Sequence, residues 1–301
     1  MRTRSRSFVF LTSVLAVAGL LAMTSVASAA PGAEGTGFSI RLHGGLSYLT
    51  ATDVNAGAGG FFDYVQLLAD AMGWTAEGGY SPAHSGLDFG GDIIFQLSRN
   101  IGVGLGAGYL RSTEESEMVL SNGIDATLIG TPVLSAIPIR LGVFFTLPLN
   151  KKINFTANAG AAYYAALKFD ANLRIEEDPD WSEQGISASR NSLSGNLGFQ
   201  GGLGFEYMFS PKMGFFVEAL GRLAKFKNFA TAHAHSEDSV GNAEDSDGVI
   251  YLETMTVPEG TWTEFIVAET PPTSFPPEIV YTEPKFDFSG FCIQFGIRIR
   301  L

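Results

Sequence analysis

The sequence predicts an all-β protein: a transmembrane antiparallel up-and-down β-barrel of eight strands, with ten strands as the alternative. Three observations predict it. Apolar residues recur with a period of two over segments of about 10 residues or more, the length a tilted strand needs to cross a hydrocarbon layer. The connections between those segments alternate between short and long. The polar side of the segments is dominated by glycine and other small residues, which suits a narrow interior better than the wetted face of a sandwich.

The N-terminus is set aside first. Arg2, Arg4 and Arg6 precede an apolar stretch from Phe8 to Val26, and Ala27-Ser28-Ala29 offers a small-x-small cleavage site. That order reads as a secretory signal peptide over residues 1–29, leaving 30–301 as a single domain with no appended periplasmic module. Cleavage takes the formal charge from −12 to −15, with 31 acids against 16 bases remaining. So acidic a surface excludes nucleic acid, whose binding requires phosphate neutralisation. Cys292 is the sole cysteine, so no intramolecular disulfide can form. Beyond the leader no stretch approaches ~18 uninterrupted apolar residues, so any span must be made by a closed barrel. An exported chain that spans in this way is expected in an outer membrane.

Eight segments carry the alternation. Phe38, Ile40, Leu42, Leu46 and Tyr48 oppose Ser39, Arg41, His43 and Ser47. Leu87, Phe89, Ile93, Phe95 and Leu97 oppose Asp88, Asp92 and Gln96, and Ile101 to Tyr109 oppose a run of glycines. Ile137 to Leu147 oppose Pro138, Arg140 and Thr146. Ile153, Phe155, Ala157, Tyr163, Leu167 and Phe169 oppose Asn154, Thr156 and Asn158. Leu197 to Phe209 oppose Gln200 and Glu206, Phe215 to Leu223 oppose Glu218 and Arg222, and Phe291 to Leu301 oppose Gln294, Arg298 and Arg300. Residues 98–100, 148–152 and 210–212 are tight turns, while 50–84, 112–132, 170–192 and 227–284 are expected as long outer loops. Aromatics near the segment ends (Phe38, Tyr48, Tyr109, Phe169, Tyr207, Phe209) suit interfacial girdles.

The final segment, alternating to the last residue, looks like the terminal strand that outer-membrane assembly machinery recognises, although it ends in Leu301 where Phe or Trp is usual. The stretch Gly204-Phe205-Glu206-Tyr207-Met208-Phe209-Ser210-Pro211-Lys212 with Phe216-Val217-Glu218-Ala219 is similar to hairpins of small OmpA/OmpW-like outer-membrane barrels. The resemblance spans residues 37–301 as a pattern. It implies the architecture, with outer-membrane lipid and the assembly machinery as partners, and specifies no activity.

An eight-stranded barrel is just wide enough to be filled by side chains. Its inward charges, Arg41, Asp88, Asp92, Arg140, Glu206, Glu218, Arg222, Arg298 and Arg300, are nearly balanced in sign. Counted from the turns, opposite charges lie at similar depth on consecutive strands, and an unpaired desolvated charge costs several kcal/mol. An interior layer of ion pairs that blocks water is therefore expected.

Twenty-five of the 31 acids fall in the four outer loops, while the turns carry Arg99, Lys151, Lys152 and Lys212. The loops read as a like-charged surface that resists aggregation, with divalent cations as a second partner for the carboxylates. Asp245-Ser246-Asp247-Gly248 fails as an EF-hand, whose frame puts Ala243 and Thr254 where carboxylates are required. His233 and His235, with Glu237 and Asp238 after them, lack a third histidine, so no metal ligand set is assigned. His43 reads as inward and isolated, and the side chains of His84 and Ser85 point apart in a strand, so no catalytic residue is named and no cofactor is expected. Phe61, Val65, Leu68 and Met72 predict a short amphipathic helix within 60–74. Residues 249–257 and 261–268 predict a hairpin. The resulting expectation is a non-enzymatic outer-membrane barrel with an envelope-structural or surface-interaction role. A narrow pore or a transport barrel for small hydrophobic molecules is the alternative, and a lipid-modifying enzyme ranks third.

Overall fold

The computed structural model describes residues 37–123, 125–190, 195–258 and 260–301; the expected leader over 1–29 lies outside them. The described residues form an all-β antiparallel architecture with one helix. In chain order come β1 (Gly37–Leu49), α1 (Thr52–Met72), β2 (Thr75–Gly79), β3 (Ser85–Gln96), β4 (Ile101–Thr113) and β5 (Ser116–Ser121). Then follow β6 (Asp125–Pro148), β7 (Ile153–Glu177), β8 (Asp180–Arg190), β9 (Leu197–Met208), β10 (Met213–Leu223) and β11 (Lys225–Phe226). The chain ends with β12 (Thr231–Asp238), β13 (Ala243–Val257), β14 (Gly260–Ala268), β15 (Ile279–Thr282), β16 (Phe286–Asp287) and β17 (Gly290–Arg300). Among the described residues no helix is long and apolar enough to cross a membrane.

Eight of the strands are hydrogen-bonded in a cycle. β1 pairs with β3, β3 with β4, β4 with β6 and β6 with β7. From there β7 pairs with β9, β9 with β10, β10 with β17, and β17 returns to β1. Period-two alternation decides which residues face the enclosed side. In β10 every second residue is buried, and in β4 glycines alternate with exposed Ile101, Val103 and Leu105. The outward face is a continuous apolar belt that includes Leu46, Leu141, Phe199, Leu203 and Leu223, each at least 59% exposed. An exposed apolar surface of that extent calls for a non-aqueous surrounding.

The three tight turns share one device. Ser98 Oγ accepts from the N–H of Ile101, Asn150 Oδ1 from those of Lys152 and Ile153, and Ser210 Oγ from that of Met213. Side-chain oxygens three residues ahead of a strand start fold the backbone into a turn and satisfy its donors.

The opposite end differs from the loops expected there. Residues 112–132, 170–192 and 227–284 are largely strand. β6 and β7 run 24 and 25 residues, well past the cycle. On one flank β5 and β2 extend the sheet from β6. On the other, β8, β12, β13 and β14 extend it from β7. The predicted hairpin forms, with Val257 opposite Gly260, and lies outside the cycle. Strands of this kind alternate too weakly in hydrophobicity to stand out from loops, because the face that meets the core carries small or scattered apolar residues such as Ala188, Ala232 and Met118.

Helix α1 begins eight residues before the predicted window. The added turns contain Gly57 and Gly59, next to Gly60, and these poor helix formers mask the pattern. The structure explains their presence: a Cβ on Gly60 would lie 2.0 Å from the Thr263 carbonyl oxygen, so only glycine lets the helix seat on β14. Gly73, at φ 73°, ends the helix in the left-handed conformation typical of a C-terminal cap.

One phase change overturns an expected facing. Ser135 pairs with Lys168 but Ile137 pairs with Ala165, so β7 carries an extra residue there, and Ala166 has φ 49°. A bulge of this kind flips the alternation beyond it. Leu167 and Phe169, expected on the outer face and, for Phe169, in an interfacial girdle, are instead fully buried inside.

Candidate functional site

The enclosed face of the cycle holds the charges named from the sequence, all buried except Arg300. Arg41 Nη2 lies 3.0 Å from Glu218 Oε2, and Arg222 Nη1 lies 2.8 Å from Asp88 Oδ2. Arg140 Nη2 is 3.3 Å from Asp92 Oδ1, and Arg300 Nη2 is 2.7 Å from Glu206 Oε2. The register along β1 stacks these pairs in tiers, with Ser39 opposite Arg300, Arg41 opposite both Arg298 and Asp92, and Gly45 opposite Asp88.

The pairings differ from those expected in one respect. None of these four joins neighbouring strands of the cycle. β10 reaches β1 and β3, β6 reaches β3, and β17 reaches β9, so each bridge skips at least one strand and crosses the interior. Long side chains in a narrow enclosure meet across it: Arg41 stands directly opposite Arg298 on one side and Asp92 on the other, yet reaches Glu218. Among the described residues Arg298 has no carboxylate in salt-bridge contact. It donates to Ser39 Oγ at 3.1 Å and Thr146 Oγ1 at 3.3 Å.

Surrounding groups complete the tiers. Asn158 and Asn154 donate to Glu218 and Glu206 at 2.8 and 2.7 Å. The Arg41 guanidinium stacks 3.9 Å above the Phe216 ring, and Arg222 Nη2 donates to Ser47 Oγ. His43 is not isolated. Its Nε2 lies 2.8 Å from Arg140 Nη2 and 3.8 Å from Asp92 Oδ2. Inward glycines make the space: a Cβ on Gly106 would lie 2.0 Å from Asp92 Oδ1, and one on Gly90 2.6 Å from Arg140 Nη2.

Above the uppermost tier lies a feature that the sequence reading missed. Tyr164, Phe169, Phe226, Phe229, Phe286 and Phe288 are buried with Leu49, Val54 and Leu110 in one apolar cluster. Ring centroids stand 5.1 Å apart for Tyr164 and Phe226 and 4.1 Å for Phe229 and Phe286. The short strands β11 and β16 pair only with each other, Lys225 opposite Asp287 and Phe226 opposite Phe286, and carry these rings inward. Two signals were available. Phe226 and Phe229, and Phe286 and Phe288, are aromatic pairs at the ends of otherwise acidic stretches, where a solvated loop has no use for them.

Two further features lie outside the cycle. A cavity of about 110 Å³ sits between α1 and the extended sheet, lined by Phe61, Phe62, Tyr80, Leu173, Phe265 and Glu264 among others. Burial, and then the opposed Glu253, raises the Glu264 carboxyl above the usual range. On the extended sheet His233 and His235 face Asp247 and Asp245 of β13. Among the described residues no group of three or more His, Cys, Asp or Glu side chains is gathered around a common metal position.

The sequence profile of the outer membrane protein beta-barrel domain matches residues 16–245. No curated protein matches the sequence. Among solved structures, a major outer membrane protein from Thermus thermophilus is 13% identical with a TM-score of 0.33, over 88% of this chain and 99% of that one. The outer membrane protease OmpT from Escherichia coli is 8% identical with a TM-score of 0.25, over 91% and 99%. At those scores neither likeness bears on strand number or activity. The profile covers well over half of the residues, and the chain belongs to the outer membrane protein β-barrel domain family.

Proposed function

We propose that this outer-membrane protein is a sealed, non-enzymatic barrel of eight membrane-spanning strands that presents an acidic, sheet-like surface outside the cell. In this reading the cycle of eight strands is the membrane section, the short turns are periplasmic and the extended strands project outward. Its role is structural or adhesive within the envelope. The observation that carries it is the filling of the interior: cross-strand ion pairs in tiers, beneath a layer of buried aromatic rings. Charges fixed by partners and closely packed rings leave no continuous column of water. His43, buried inside, is engaged by Arg140, and His84, stacked on outward-facing Tyr48, by the Leu49 carbonyl, which favours a non-catalytic role.

The test is conductance of the refolded chain, residues 30–301, in a planar bilayer, with a heat-dependent gel shift as the check on folding. A silent bilayer is expected; reproducible discrete openings would overturn the sealed reading. A second reading, passage of small hydrophobic molecules, is favoured by the apolar cavity beneath α1. It predicts that filling that cavity, by Gly130→Leu, slows uptake of such a molecule by cells while leaving ion conductance at zero.

A further inference from the structure

We infer that the cavity beneath α1 binds one neutral, single-ring aromatic molecule carrying one hydrogen-bonding group, of the phenol class. Cross-strand rows place the site. Leu134, Phe169, Ala188 and Ala232 form the row that joins the aromatic layer. The next row away from the cycle is Pro132, Ala171, Ile186 and Ala234, and after it come Gly130, Leu173 and Gln184. Small residues facing each other open the space there, Gly130 and Ala171 on the sheet, Gly57 and Ala58 on α1. Four rings wall it, those of Phe61, Phe62, Tyr80 and Phe265. Packed interiors hold few voids larger than a water molecule, and an apolar cavity of about 150 Å³ accepts benzene. A volume of about 110 Å³ takes a single ring and excludes an acyl chain or a fused ring system.

The walls are fixed before a ligand arrives. Tyr80 Oη donates to Asn55 Oδ1 at 2.8 Å, and the same oxygen accepts from the N–H of Ala83 at 2.8 Å. The Phe62 and Tyr80 rings stand 5.8 Å apart and tilted, and Phe265 packs on Phe169 at 4.9 Å. A ring inserted among them meets tilted and edge-on neighbours, the arrangements aromatic pairs prefer. Small-molecule sites are largely apolar, with a few polar groups that fix orientation. Gln184 supplies one. It lines the cavity, and among the described residues its amide has no hydrogen-bond partner. An amide both donates and accepts, so it serves a hydroxyl or a carbonyl on the ligand, whereas the Tyr80 hydroxyl is already committed. Glu264 on the lining disfavours an anionic ring such as a benzoate. The site goes beyond the passage reading and does not depend on it: it lies past the aromatic layer, so occupancy and conductance are separate properties.

The experiment is a fluorine NMR titration of 4-fluorophenol against the refolded chain, residues 30–301, in detergent micelles. Empty micelles serve as the blank for partitioning, and gel mobility confirms the folded barrel. Saturable binding of one equivalent beyond the blank is expected. Ala171→Leu, which fills the cavity, should weaken it at least tenfold. Phe62→Leu, which enlarges the cavity, should admit 6-fluoro-2-naphthol, a probe that the parent excludes; a gain of binding cannot come from an unfolded chain. Gln184→Leu should weaken 4-fluorophenol about fivefold and leave fluorobenzene unchanged, since only the hydrogen bond is lost. Absence of saturable binding beyond the blank would overturn the inference, as would binding that Ala171→Leu leaves unchanged. Equal losses for 4-fluorophenol and fluorobenzene in Gln184→Leu would overturn the assignment to the phenol class.

Discussion

Replacing Glu218 by alanine isolates the energetics of the filled interior. Glu218 is nearly inaccessible, and its carboxylate both pairs with Arg41 at 3.0 Å and accepts from Asn158 at 2.8 Å. Removing one partner of a buried pair costs about 3–5 kcal/mol, chiefly because the other charge is left without compensation. Arg41 retains its stacking on Phe216 at 3.9 Å, worth about 0.5–2 kcal/mol, so the lower part of that range applies. The expected loss is about 3 kcal/mol. Glu218→Gln keeps an acceptor for Asn158 and should lose less. In the double variant Glu218→Ala with Arg41→Met, the orphaned charge is gone, and part of the stability should return. The assay is urea titration of the refolded barrel, scored by the mobility of folded and unfolded bands. With m of about 1–3 kcal/mol/M, the midpoint should fall by about 1 M or more. If the Glu218→Ala midpoint matched that of the parent, the tiers would contribute nothing and the reasoning would fail.

Three other perturbations follow from the same structure. Arg298→Ala removes two hydrogen bonds to hydroxyls and no ion pair, so it should lower stability by about 1–3 kcal/mol, less than Glu218→Ala in the same titration. Gly60→Ala drives a methyl group into the Thr263 carbonyl and should loosen α1 by about 1–3 kcal/mol. Limited proteolysis should then cut between residues 52 and 74 while the barrel band survives, and an unchanged digest would refute the close seating. The raised Glu264 carboxyl makes the β13–β14 hairpin pH-sensitive. The folded state holds that proton more tightly than the unfolded chain. Its contribution is therefore full below the ordinary glutamate value and is lost as pH rises through the higher folded value. Amide exchange in residues 249–268 should quicken across that window, and Glu264→Gln should flatten the dependence.

The cycle was legible because a barrel wall between two unlike surroundings forces strict alternation. Leu42, Leu141 and Leu203 had to differ from Arg41, Arg140 and Gly202. The interior charges were legible for the same reason, since a charged residue on the side opposite an apolar belt has only the inside to go to. Their partners were not. Arg222 meets Asp88 across three strand steps, and height along a strand carries no information about which side chains reach across. Phe169 was misplaced because one inserted residue at Ala166 inverts every later assignment in β7. The outer extension reads as loop in the sequence because strands such as Thr231–Asp238 bury only small residues, Ala232 among them, between polar ones. The helix start was hidden by glycines whose purpose, close approach to β14, is a tertiary fact.

The bulge also accounts for how the two halves of the molecule coexist. Up to Gly160 the inner face of β7 is small or polar, with Asn154, Thr156 and Asn158, and it faces the charge tiers; Ala162 and Tyr164 then begin the apolar layer. Beyond Ala166 the inner face is Leu167 and Phe169, and it faces the aromatic rings. Without the extra residue, Lys168 and Asp170 would point into the apolar layer and Leu167 and Phe169 out toward solvent or lipid. The single insertion thus keeps the inner face apolar past Tyr164 without breaking the ladder of hydrogen bonds that continues to Glu176. It follows that deleting Ala166 should be more damaging than any single substitution in the aromatic layer, because it reverses four inner and outer assignments at once.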